Sequence, residues 1–181
     1  MKKKASVRNL VFAGLLAAMT TVATLLIVIP TPTKGFINLG DSFVNIGAWL
    51  MGPAYGAASA AIGSSLADII AGYGIYAPAT FVIKGLMALV SFWLFSTLKK
   101  HGKIKTAPVV SAIAAEAVMI LGYAVYEAVI YGSVAFALGG VASNAVQGIA
   151  NTVIAAVFYA AIIEKAVPAG LGKISGMKNK S

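Results

Sequence analysis

Residues 42–71 read SFVNIGAWLMGPAYGAASAAIGSSLADIIA, and how this stretch is divided decides the fold. From Ser42 to Ala67 it holds no charge, yet Gly52-Pro53 interrupts it near its middle. Proline lacks the N–H a helix interior needs, and its ring clashes with the preceding turn. The run therefore splits into a short helix over 42–51 and a second helix over 54–71. About ten residues at about 1.5 Å each reach only half of a bilayer of about 30 Å. Whether the short helix crosses has to be argued from charge.

Outward from this stretch the chain alternates long apolar runs with basic clusters. The runs predict further helices at about 8–29, 79–98, 107–131 and 144–163. A loop spans 30–41, a basic loop 99–106, and a glycine-containing apolar loop 132–143. Lys2, Lys3, Lys4 and Arg8 precede the first helix, Lys99, Lys100, Lys103 and Lys105 follow the fourth, and Lys165, Lys173, Lys178 and Lys180 follow the last. These are twelve of the fourteen basic residues. With six crossings all twelve share one side. With five, the 99–106 loop would face outward, against the positive-inside bias. The short helix therefore crosses, with Phe36–Leu39 completing its depth, and both termini are cytoplasmic.

Composition agrees. The 181 residues are 60% hydrophobic and 10% charged, with a mean hydropathy of +0.91. A soluble domain has about 25% charged residues. One domain of this size cannot hide so much apolar surface, so the class is an all-α integral membrane protein with six transmembrane helices. The net charge of +9 is accounted for by topology, and nucleic acid is not expected as a partner. No cysteine and a single His101 in a lysine-rich stretch leave no thiolate chemistry and no histidine metal site. No phosphate-binding loop, nucleophile elbow or zinc-protease motif is present. Neither catalytic residues, metal nor cofactor are expected.

The informative residues are polar groups inside the membrane, where a charge costs at least about 2.5–3.5 kcal/mol. They include Asp68, Lys84, Glu116 and Glu127. Helical spacing puts Glu116, Tyr123 and Glu127 on one face, Asn144, Gln147 and Asn151 on another, and Thr80, Lys84, Met87 and Ser91 on a third. Three polar stripes cannot all face lipid, so they are expected to enclose a wet cavity open to the outside. The bland alternative is hydrogen bonding between helices, with Asp68–Lys84 a simple ion pair. Tyr73, Tyr76, Tyr123, Tyr126 and Tyr131 fall near the outer surface, as an interfacial belt or as walls for a flat heterocycle. The 30–41 loop suits a lid. Within it Asn38 reads as ligand or cap, and Asp41 as the N-cap of the short helix. Candidate substrate-binding residues are thus Asn38, Tyr76, Thr80, Lys84, Tyr123, Glu127, Asn144, Gln147 and Asn151. Ala13 and Ala17, four apart, form a small face for close helix packing, inside the protein or against another membrane protein.

Four segments resemble a known family. They are Ala13-x-x-x-Ala17, GFINLGD at 35–41, GPAYGAASAAIGSSLADIIAGY at 52–73, and YAPATFVIKG at 76–85. In that order they resemble the substrate-binding S components of energy-coupling factor (ECF) vitamin transporters, over roughly residues 8–165. The branch is the riboflavin-type group, which includes proteins assigned to hydroxymethylpyrimidine or pyridoxine. The resemblance implies a prokaryotic plasma-membrane protein that binds a vitamin from outside. It implies docking, through Ala13 and Ala17, on a T component that carries two ATPases. On the mix of acceptors, one cation and aromatics, the expected substrate is pyridoxine or hydroxymethylpyrimidine, then riboflavin or pantothenate. The competing class is a proton-coupled carrier or channel using Asp68, Glu116 and Glu127.

Overall fold

A computed structural model describes residues 7–31 and 34–163. Lys2–Lys4, Pro32 and the basic tail from Glu164, with Lys165, Lys173, Lys178 and Lys180, lie outside the described residues. The elements are α1 (Val7–Leu26), β1 (Ile29–Pro30), β2 (Phe36–Ile37), α2 (Gly40–Ile70), α3 (Ala77–Lys100), α4 (Ala107–Tyr131) and α5 (Val134–Phe158), which ends in a π turn at Tyr159–Ile163. In the lid, β1 and β2 form a minimal antiparallel ladder, with Ile29 opposite Ile37.

The helices pack in chain order, α1 on α2, α2 on α3, α3 on α4 and α4 on α5, and α5 also reaches back to α2. Four helices, Val7–Leu26, Ala77–Lys100, Ala107–Tyr131 and Val134–Ile162, are long and apolar enough to cross a membrane. The fifth, α2, is broken at Gly52 (φ 79, ψ −176), a backbone conformation open essentially to glycine alone. Its two arms fold against each other: a Cβ at Gly56 would lie 2.8 Å from the Ala48 Cα. Without a sharp reversal at Gly52, residues eight positions apart would stand about 12 Å apart along one helix.

The surface is the apolar part of the protein. Leu26, Trp93, Leu121, Val129 and Ile149 are exposed, while Asp41, Asn45, Ser91 and Asn151 are completely buried. This inversion suits a lipid surround. Apolar packing holds the middle through Val44, Ala60, Met87, Ala115 and Met119. At the end near the basic loop, Trp49 stacks on Phe95 at 5.3 Å and Tyr159 meets both edge-on.

One loop is shorter than expected. The glycines of residues 132–143 predict a loop, but α5 already begins at Val134. Gly132 in the left-handed region ends α4, and Ser133 caps α5 by accepting the Phe136 N–H at 3.2 Å. With no water to receive the freed backbone groups, Gly139 and Gly140 stay helical.

α1 meets α2 backbone to backbone at Gly63. A Cβ there would lie 2.4 Å from the Ala17 carbonyl oxygen, and Thr21 Oγ1 donates to the Gly63 carbonyl at 2.7 Å. Gly63→Ala is therefore expected to lower stability by about 1–3 kcal/mol, the usual cost of overpacking. Unfolding in mixed micelles measures this, and an unchanged midpoint would show that the helices separate freely.

Candidate functional site

The polar stripes divide into a buried spine and an open cleft. The spine begins where the lid enters α2. Asn38 Oδ1 accepts the Gly40 N–H at 2.9 Å, so Asn38 serves the helix start and Asp41, expected to cap it, does not. The Asp41 carboxylate lies in the first turn with no exposure and pairs with Lys84 of α3. Lys84 thus pairs with Asp41 and not with Asp68, its partner in the alternative of interhelical bonding, because the first turn of α2 lays Asp41 directly on it. The Lys84 ammonium also lies 5.4 Å from the centre of the Tyr123 ring.

Gln147 of α5 completes this junction. Its Nε2 donates to Asp41 Oδ2 at 2.7 Å, and its Oε1 accepts from the Asn38 backbone N–H at 2.9 Å and from Asn38 Nδ2 at 3.3 Å. One turn on, Asn151 Oδ1 accepts from the Ser42 N–H at 2.9 Å and from Ser42 Oγ at 2.7 Å, while its Nδ2 donates to the Asn38 carbonyl at 2.8 Å. Deeper still, Ser91 donates to Asn45 Oδ1 at 2.7 Å and Asn45 Nδ2 donates to Glu116 Oε1 at 3.3 Å. Asn151 and Lys84, both singled out as ligand groups, are thus committed to holding the lid and α2 against α3 and α5. Thr80 is engaged too, hydrogen-bonded to the Tyr123 hydroxyl at 2.8 Å.

The cleft lies on the lid side of the spine and is narrow, enclosing about 400 Å³ only when the open space at its mouth is counted. Of the expected residues it gathers Asn38 from the lid, Tyr76 before α3, Tyr123 and Glu127 from α4, and Asn144 and Gln147 from α5. Thr80, Lys84 and Asn151 are not on its wall. Thr31, Gly35 and Phe36 join from the lid, and Asp68 from the second arm of α2. Gly35 and Phe36 stand in the GFINLGD segment, so the signal for them was present. Thr31 carried none beyond its place in the loop.

Aromatic groups frame the opening. Tyr76 is buried, not interfacial. Its ring lies 6.3 Å from Tyr123 and 5.7 Å from Tyr126, and its hydroxyl donates to Glu127 Oε1 at 3.4 Å. Burial, then the neighbouring Tyr131 and Glu127, push the Tyr76 phenol above the usual tyrosine range, so it acts as a donor. Phe36 packs on Tyr73 at 4.6 Å, Tyr131 packs on Phe136 at 4.4 Å, and Lys34 stands over the Tyr131 ring at 5.6 Å. Tyr126 donates to the Ile75 carbonyl, tying α4 to the turn before α3.

On α1, Ala13 is buried and Ala17 is half-buried with its carbonyl against Gly63. This pair faces α2. The small residues left exposed on the helix are Gly14 and Ala18.

Among known proteins, the family model described as ECF-type riboflavin transporter, S component, matches residues 4–164. A relative from Pyrococcus woesei, described as an uncharacterized protein in a gap 3' region, is 38% identical over 113 residues, which are 62% of this chain and 73% of the relative. A solved structure, described as the S component of a bacterial ECF transporter, aligns with a TM-score of 0.67 over 87% of this chain and 96% of that one. At 17% identity it shows the shared fold alone.

Proposed function

Because the chain belongs to the ECF-type riboflavin transporter S-component family, we propose that it is the vitamin-capturing subunit of an ATP-driven importer in a prokaryotic plasma membrane. In this reading the two arms of α2 each cross, giving six membrane segments with both termini cytoplasmic. The cleft opens outward, and the loaded protein delivers its ligand through a T component that carries two ATPases. The observation that carries the reading is the cleft itself. A lid and the ends of α2 to α5 bring hydrogen-bonding groups and aromatic rings to one opening in an otherwise lipid-facing bundle.

The substrate we propose is pyridoxine or hydroxymethylpyrimidine, with riboflavin next. A single-ring heterocycle demands less room of a narrow cleft than a three-ring flavin, and Asn38, Glu127, Asn144 and Gln147 offer acceptors and donors on its wall. Pantothenate loses ground because Lys84, the cation that its carboxylate would want, is bound by Asp41. Docking on the T component is proposed for α1, where Gly14 and Ala18 are exposed and Ala17 half-exposed.

Reconstituted vesicles test the reading. Uptake of radiolabelled vitamin is expected only with the T component, both ATPases and ATP present. Uptake by this chain alone under a proton gradient would instead support the carrier in which Asp68, Glu116 and Glu127 relay protons. Within the cleft, Glu127→Gln is expected to weaken vitamin binding roughly tenfold or more, the worth of a hydrogen bond to a charged acceptor. Titration calorimetry reads this directly, and unchanged affinity would remove Glu127 from the site.

A further inference from the structure

The charge inventory of the interior is unequal. Among the described residues four acidic side chains, Asp41, Asp68, Glu116 and Glu127, are each at most 5% exposed, and the one buried cation is Lys84. Asp41 takes that cation. Glu116 sits off the cleft with Asn45. Asp68 and Glu127 both stand on the cleft wall, and none of the described lining residues is Lys, Arg or His.

Asp68 is the telling one. Its carboxylate oxygen Oδ2 is buried with no hydrogen-bond partner. A buried charged acceptor left unmet is costly, and Asp68 stands on the cleft wall, where a ligand can bring a donor. Tyr76 also lines the cleft, and an aromatic ring attracts a cation.

We propose that the cleft selects a small heterocycle bearing a positive charge or an amino group next to a ring nitrogen, with Asp68 and Glu127 as its two acceptors, and that it rejects anions. This rests on the reading of the cleft as the vitamin site. An aminopyrimidine meets the requirement through its amino N–H donors and, once protonated, through a ring N–H and a positive charge. A carboxylate-bearing ligand would set a third negative group beside two against the low-dielectric wall of the bundle, where like charges repel more than in bulk water.

The test is calorimetry on the purified full chain in detergent with four probes: 4-amino-5-hydroxymethyl-2-methylpyrimidine, its 4-oxo counterpart, riboflavin and pantothenate. The amino compound is expected to bind at least roughly tenfold tighter than the oxo compound, with no detectable heat from pantothenate. Asp68→Asn is expected to erase most of that gap. Should the variant fail to fold, the wild-type ranking still decides. Equal or tighter binding of the oxo compound, riboflavin or pantothenate overturns the charge rule. If that tighter ligand still depends on Glu127 and is taken up only with the ATPase partners, the importer reading stands without it. Binding of none of the four overturns the charge rule as well, and partner-dependent uptake then decides separately whether the importer reading survives.

Discussion

Lys84→Met is expected to cost about 3–5 kcal/mol of stability, because it leaves a buried carboxylate without its counter-charge. Asp41 has no exposure and its remaining side-chain donor is Gln147, too little to hold a full negative charge in the bundle. The pair joins the lid end of α2 to α3, so its loss should loosen the lid as well as the helix contact. Substituting both partners, Lys84→Met with Asp41→Leu, removes the charge as well as the counter-charge and is expected to recover most of the loss. Unfolding of the single and double variants in mixed micelles measures the coupling. A single variant as stable as the parent would mean that Asp41 finds another donor or takes up a proton without penalty.

Gln147→Leu is expected to have the next largest effect. It strips the Asn38 backbone N–H and Asp41 Oδ2 of their partners at once, and each buried unmet group costs about 1–3 kcal/mol. Gln147 also stands on the cleft wall, so ligand affinity should fall with stability. A stabilising second change, such as lowering the temperature, separates the two. If affinity returns fully once the fold is secured, Gln147 positions the lid and does not touch the ligand. Unchanged stability would contradict the hydrogen bonds that place it at the lid–helix junction.

Much of the architecture was legible because lipid imposes simple rules. Long apolar runs marked α1, α3 and α4, and Gly52-Pro53 marked the reversal within α2. The glycine-rich 132–143 stretch misled because glycine punctuates helices in water, where exposed backbone is solvated. In a bilayer the same backbone must stay bonded to itself, and α5 runs on through Gly139 and Gly140. Two of the three polar faces reach the cleft, and these were legible because helical spacing alone aligns Tyr123 with Glu127 and Asn144 with Gln147.

Which polar group quenches which was not legible. Asp41 and Lys84 are 43 positions apart, and Asn38 and Asn151 are 113 apart. Such pairings depend on how the lid folds back over the bundle, which no local period encodes. Thr80, Lys84 and Asn151 therefore read as ligand groups although their bonds are spent inside the protein. Asp68 read as half of an ion pair although its second oxygen has no partner.

Native mass spectrometry of the protein released from its own membranes tests the central claim most directly. One small-molecule adduct of vitamin mass, retained by the parent and absent from Glu127→Gln purified in the same way, is the predicted result. A bare chain from vitamin-replete cells, or an adduct held equally by both proteins, would contradict the placement of a vitamin site in this cleft.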